Sequence, residues 1–234
     1  MTPIARADRL IVALDVPTPQ EARQLVEKLG DAARFYKIGL ELFTAGGYHE
    51  LLAWLAARGN KVFADLKLYD IPETVRRSVA NLRGRGVTFL TVHGHRSVME
   101  AAAREKGDVK ILAVTVLTSF DQRDLEEMGS TLSVEHLVLG RAKGAVECGC
   151  DGVIASGLEA QALKKEFKQR LLIVTPGIRP AGESAGDQKR TVDVAQAFAN
   201  GADYIVVGRP IREAADPRRA AEAIQATIAR IFSA

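Results

Sequence analysis

Apolar runs of strand length alternate with amphipathic stretches of helical length along the whole chain. The runs predict strands over 10–15, 35–38, 61–66, 88–93, 110–117, 152–156, 171–175 and 204–208. Most are continuous in Val, Ile and Leu, the pattern of parallel strands covered on both faces. Between them, Thr18-Pro19-Gln20-Glu21 opens a first helix with a cap and an early acid. Further helical patterns cover 72–85, 97–106, 134–147, 160–167, 192–200 and 217–232. This alternation predicts an α/β protein, a single (β/α)8 TIM barrel forming one catalytic domain over residues 1–234. A doubly wound sheet is the competing arrangement. The even repeat and the missing Gly-x-Gly-x-x-Gly turn after the first strand count against it. Two connections are long. Residues 176–188 are rich in Gly and Pro and read as a lid, and 118–133 is acidic, with Asp121, Asp124, Glu126 and Glu127.

Bulk properties narrow the function only a little. The 234 residues are 47% hydrophobic, enough for a sizeable core, and suit one barrel. A net charge of +3 is too small to argue for nucleic acid, but it suits a small anionic ligand if the positive charge is local. Cys148 and Cys150 are badly spaced to bridge each other, and Cys-x-Cys without further ligands is a weak metal signal; small residues in a reducing cytoplasm are the simpler reading. The N-terminal stretch has no apolar signal region and the chain has no membrane-length run, so a soluble cytoplasmic protein with no membrane partner is expected.

The chemistry gathers at the C-terminal ends of the expected strands, where such barrels build their sites. Those ends carry Asp15, Lys37, Asp65 with Lys67, His93, Thr118 with Ser119, Ser156, Thr175 and Arg209. Asp65 and Lys67, two apart on a strand, point the same way, and Asp70 follows where Ile71-Pro72 turns toward a helix. Two carboxylates crowded together need a cation between them, which Lys67 can be. A surface ion-pair cluster is the plainer reading of that segment alone. Flanking carboxylates favour the ammonium form of Lys67 and so suit it as a proton donor rather than a base or nucleophile. Gly208-Arg209-Pro210, at the eighth strand's end, offers an arginine fork for phosphate; Arg179 and Gln188 on the seventh loop could close over the same anion. An ordinary turn with a surface arginine is the alternative. His93-Gly94-His95 could be half a metal site, but no second His or Cys cluster accompanies it and Lys37 would repel a dication, so packed or hydrogen-bonding histidines and no metal are expected.

Asp65-Leu66-Lys67-Leu68-Tyr69-Asp70-Ile71-Pro72 resembles the Asp-x-Lys-x-x-Asp-Ile-Pro motif of the orotidine 5'-monophosphate decarboxylase family. The resemblance extends over essentially the whole chain: Ile11-Val12-Ala13-Leu14-Asp15, Tyr36-Lys37-Ile38-Gly39, Leu117-Thr118-Ser119, Thr175-Pro176-Gly177-Ile178-Arg179-Pro180 with Gln188, and Gly208-Arg209-Pro210-Ile211 are each similar to a family segment. It implies a cofactor-free carboxy-lyase that converts orotidine 5'-monophosphate to UMP in pyrimidine biosynthesis, with Lys67 protonating a C6 carbanion. It also implies a catalytic array of Lys37, Asp65, Lys67 and Asp70, Asp15 toward the ribose, Thr118 and Ser119 on the base and ligand, and Pro176, Arg179, Gln188, Gly208 and Arg209 around the phosphate. A homodimer is implied, with Asp70 and Thr74 donated across the interface. Glu73 stands where the family motif commonly has Asn, and the first helical turn favours an acid there. Two rivals remain: a magnesium-dependent sugar-phosphate decarboxylase or aldolase of the same superfamily, and a non-catalytic barrel that binds nucleotide phosphates.

Overall fold

The computed structural model describes residues 3–179 and 189–233. Among these, eight parallel strands close a barrel in sequential order: β1 (Leu10–Ala13), β2 (Phe35–Gly39), β3 (Lys61–Leu68), β4 (Val87–His93), β5 (Lys110–Val114), β6 (Gly152–Ile154), β7 (Leu172–Thr175) and β8 (Tyr204–Val207), with β8 returning to β1. The described helices are α1 (Pro19–Leu29), α2 (Leu40–Thr44), α3 (Tyr48–Ala57), α4 (Pro72–Ala80), α5 (Arg96–Glu105), α6 (Gln122–Glu127), α7 (Val134–Glu147), α8 (Ala160–Phe167), α9 (Val194–Ala199), α10 (Arg209–Arg212) and α11 (Pro217–Ile231). This is the (β/α)8 barrel that the alternating pattern predicts.

Strand alternation divides the core in two. Leu10, Val12, Tyr36, Ile38, Ala64, Leu90 and Val92 face outward into the layer beneath the helices. Ile11, Ala13, Phe35, Phe63, Phe89, Leu112, Ile154, Val174 and Tyr204 face inward and fill the barrel. Phe35 and Tyr204 both lie against Phe89, with ring centroids 5.1 Å from it in each case. The interior is a packed plug of side chains, as expected for eight strands. Gly152 shows how tight it is: a Cβ there would lie 2.6 Å from the Leu172 carbonyl oxygen.

Several boundaries differ from the expectation, each for a local reason. The strands predicted over 10–15, 110–117, 152–156 and 204–208 end at Ala13, Val114, Ile154 and Val207, and Asp15, Leu117 and Gly208 beyond three of these ends line the barrel mouth. The helix predicted over 72–85 ends at Ala80, and Gly84 and Gly86, at φ +67° and +82°, turn the chain into β4. The helix predicted from 192 begins at Val194, capped by Asp193, because Val192 is bridged to Ile178 and accepts from the Arg179 N–H at 3.0 Å. Helix α3 has no counterpart among the predicted elements; its sequence is apolar nearly all round, so no clear amphipathic stripe marks it. The acidic connection 118–133 contains α6, opened by a reciprocal cap in which Asp121 Oδ1 accepts from the Asp124 N–H and Asp124 Oδ2 from the Asp121 N–H.

Candidate active site

The inward positions of the first four strands change character at the same level. One inward step beyond Ala13, Phe35, Phe63 and Phe89 come Asp15, Lys37, Asp65 and Thr91. The apolar plug thus ends in a ring of polar groups from consecutive strands, the arrangement that β-strand period dictates once the phenylalanines point inward. These groups are joined directly. Lys37 Nζ lies 2.7 Å from Asp15 Oδ1 and 3.5 Å from Asp65 Oδ2. Lys67 Nζ donates to the same Asp65 oxygen at 2.8 Å. Thr91 Oγ1 donates to Asp65 Oδ1 at 2.9 Å and accepts from the Lys67 N–H at 2.9 Å. Gly39 leaves room for the array: a Cβ there would come within 3.2 Å of Lys37 Nζ.

The result is an alternating chain of charges, Asp15–Lys37–Asp65–Lys67. Burial by itself raises the Asp65 carboxyl, but Lys37, Lys67 and the hydrogen bonds from Lys67 and Thr91 outweigh it and hold the group below the usual carboxylate range. Burial by itself lowers Lys37, and Asp65 and Asp15 reverse that, so its ammonium is held above the usual range. The Lys67 side chain is 30% exposed against 10% for Lys37, so Lys67 is the array's cation most open to a bound molecule.

The array forms one wall of a cavity of about 490 Å³ at the C-terminal end of the barrel. Thr118, Ser119, Pro176, Arg179, Gly208 and Arg209 line the rest of its rim, and Phe63, Val114, Ile154 and Val206 its floor. The cavity thus holds an alternating Asp–Lys array from β1–β3 together with arginines that follow β7 and β8. Such a cavity suits a ligand with a polar body and an anionic tail. Arg209 opens α10, with Pro210 in its first turn.

Not every expected residue meets here. Asp70 and Thr74 are absent from the described residues lining this cavity. With Lys67, Leu68, Tyr69 and Ser78 they line a second cavity of about 290 Å³ on the outer side of Lys67. Asp65 and Lys67 meet at the strand end, whereas Asp70 shares only the second cavity with Lys67; its carboxylate accepts from the Ile71 N–H at 2.6 Å, in an exposed turn. Gln188 lies outside the described residues. His93 and His95 stack on Tyr69, each with ring centroids 5.0 Å away, and act as packing groups rather than cavity walls. Ser156 bonds to the Arg190 carbonyl and the Leu158 N–H, and Thr175 lies on the outward face of β7.

Sequence reasoning passed over three contributors. Thr91 looks like any strand threonine, although its period-two spacing from Phe89 marks it as inward. Arg212 lines the cavity and donates to the Asp15 carbonyl oxygen. Arg190, buried with Glu159 at 2.6 Å, donates to the carbonyls of Val116 and Leu117, just before Thr118; arginines are seldom buried, so nothing in its type announces this. Thr118 in turn accepts from the N–H groups of Lys189 and Arg190, which ties the β5 and β7 loops together.

A parallel barrel whose mouth holds a fixed Asp–Lys array and arginines lining the same cavity defines a (β/α)8 enzyme for small anionic substrates. Comparison with known proteins narrows this: residues 8–224 match the orotidine 5'-phosphate decarboxylase / HUMPS family, and the chain belongs to that family. It is 58% identical over 233 residues to an orotidine 5'-phosphate decarboxylase of Methylococcus capsulatus, covering 99% of this chain and 96% of that one. It is 53% identical to the Rhodopseudomonas palustris protein of the same name, covering 97% of each. The crystal structure of orotidine 5'-phosphate decarboxylase from Lactobacillus acidophilus superposes with a TM-score of 0.83 at 37% identity, covering 94% of this chain and 99% of that one. Among the described residues, no helix is long and apolar enough to cross a membrane.

Proposed function

We propose that this chain is a carboxy-lyase that converts orotidine 5'-monophosphate to UMP and CO₂ in pyrimidine biosynthesis, working without a cofactor as a single catalytic domain in the cytoplasm. The observation that carries the reading is the Asp15–Lys37–Asp65–Lys67 array lining one cavity with Arg179 and Arg209, in a chain so similar throughout to proteins of that name. The phosphate sits toward Arg209, Gly208, Arg179 and Pro176, the base toward Thr118 and Ser119, and the ribose toward Asp15 and Lys37. Binding of the distant phosphate supplies energy that is expressed at the reacting carbon. The C6–carboxylate bond breaks with its electron pair left on C6, and CO₂ departs. The Lys67 ammonium stabilises that charge and transfers a proton from Nζ to C6, then regains one from solvent. Asp65 holds the ammonium in place before substrate arrives, so little reorganisation accompanies the step.

The catalytic unit is a homodimer, in which Asp70 and Thr74 complete the partner's site. Two observations support this. Asp70 turns away from the large cavity of its own chain while remaining beside Lys67. On either side of it in the chain, Tyr69 and Ile71 are exposed large apolar side chains, which a second subunit would cover. The ammonium of Lys37 between Asp15 and Asp65 supports this reading over a magnesium-dependent sugar-phosphate enzyme, since a cation already balances those carboxylates. The test is to follow loss of orotidylate absorbance with purified protein in buffer containing EDTA. Turnover that survives EDTA is expected. Activity abolished by EDTA and restored by Mg²⁺ would favour the metal-dependent enzyme, and binding of UMP without turnover the nucleotide sensor.

A further inference from the structure

Strand β3 does not run evenly beside β4. Ala64 pairs with Leu90 and Leu68 with Val92, so β3 uses four steps where β4 uses two. The extra residues bulge out as Asp65-Leu66-Lys67, and Lys67 takes a left-handed backbone at φ +47°. A side chain other than glycine is disfavoured there by about 1 kcal/mol or more, so the surroundings must hold it. Bulges commonly serve to re-aim a side chain. The β4 residue opposite this bulge is Thr91, fully buried and one inward step above Phe89.

Its hydroxyl is committed in both directions. A carboxylate only accepts, so the hydroxyl proton goes to Asp65 Oδ1 at 2.9 Å, which leaves the oxygen lone pairs for the Lys67 N–H at 2.9 Å. Thr91 is not among the residues lining the cavity, where the bound molecule would be held by Asp15, Lys37, Asp65 and Lys67. We propose that Thr91 is a positioning residue for the decarboxylation: one hydroxyl fixes both the bulged backbone of Lys67 and the carboxylate that receives its ammonium. The proposal rests on the function assigned above to Lys67.

Thr91→Val keeps shape and removes both hydrogen bonds. Its kcat is expected to fall about 10- to 100-fold, the range for losing a hydrogen bond to a charged group, with KM within about threefold of the parent because Thr91 does not line the cavity. Thr91→Ser, which keeps the hydroxyl, is expected to restore most of kcat. A crystal structure of Thr91→Val is expected to show Lys67 out of the left-handed region or its Nζ drawn off Asp65. If the valine variant does not fold, Thr91→Ala gives the same comparison. Unchanged kcat with the bulge intact in the valine or alanine variant would overturn the proposal, as would a serine variant no better than valine. If the parent protein does not act on orotidine 5'-monophosphate, the functional reading fails by itself; the crystal structures then decide whether Thr91 positions Lys67.

Discussion

Lys37→Met should be among the most destabilising single changes at the barrel mouth. Lys37 Nζ is 3.5 Å from Asp65 Oδ2, and at an effective dielectric of about 20 such a pair attracts by about 5 kcal/mol. The cost of burying the ammonium offsets part of this. The closer contact, to Asp15 at 2.7 Å, adds less than its distance implies: that carboxylate is 39% exposed, so water screens it to about 1 kcal/mol or less. Removing the cation leaves Asp65 with Lys67 as its one adjacent cation, beside the Thr91 hydroxyl, and breaking a buried pair from one side costs about 3–5 kcal/mol. Urea unfolding at pH 7 and fixed protein concentration reads the loss directly. The pH dependence carries a sign. Asp65 is depressed in the folded state, so its contribution is present above the ordinary carboxylate value of about 3.9 and is lost as pH falls through the folded value. Lys37 is raised, so its contribution is present below the ordinary value of about 10.4 and is lost as pH rises through the folded value. The gap between parent and variant should be flat from about pH 5 to 9 and narrow outside that window. Acid unfolding of the variant should begin at higher pH, since Asp65 has lost its leading charge partner. Lys37→Met with Asp65→Asn should recover part of the loss. A cost below about 1 kcal/mol, or strictly additive losses in the double variant, would refute the reasoning.

Three further outcomes follow from the same geometry. Arg190→Gln breaks the buried pair with Glu159 and frees the Val116 and Leu117 carbonyls; a loss of about 3 kcal/mol in urea unfolding is expected, and a change near zero would remove that staple. Arg209→Ala should lower kcat/KM for orotidine 5'-monophosphate by about a hundredfold and leave turnover of orotidine, which lacks the phosphate, nearly unchanged; equal losses on both would contradict a phosphate contact. Mixing inactive Lys67→Ala with inactive Asp70→Ala protein under exchange conditions should restore about one quarter of parental activity, because half the dimers are mixed and each holds one intact site. No recovery despite demonstrated exchange would place Asp70 in its own chain's site.

The barrel was legible because each strand is an apolar run bounded by turn residues, and closure buries both faces. The Asp15, Lys37 and Asp65 wall was legible for the converse reason: charges at the ends of buried strands are hard to explain as core. Three features were hidden. Helix α3 is too evenly apolar to declare a face. The bulge at Lys67 has no compositional mark, because lysine is not a residue that seeks a left-handed backbone; the hydroxyl of Thr91 across the sheet supports it, and pairing partners are not written in the local sequence. The direction of Asp70 depends on how the chain leaves β3 before Pro72, which spacing along a strand cannot give.

The most direct measurement is the turnover of Lys67→Ala on orotidine 5'-monophosphate, beside its circular dichroism and thermal unfolding. Lys67 is half-buried at the cavity wall and is the array's most open cation, so its truncation should abolish nearly all decarboxylation while the barrel stays folded. A folded variant that turns over at close to the parental rate would mean that the proton reaches C6 from elsewhere.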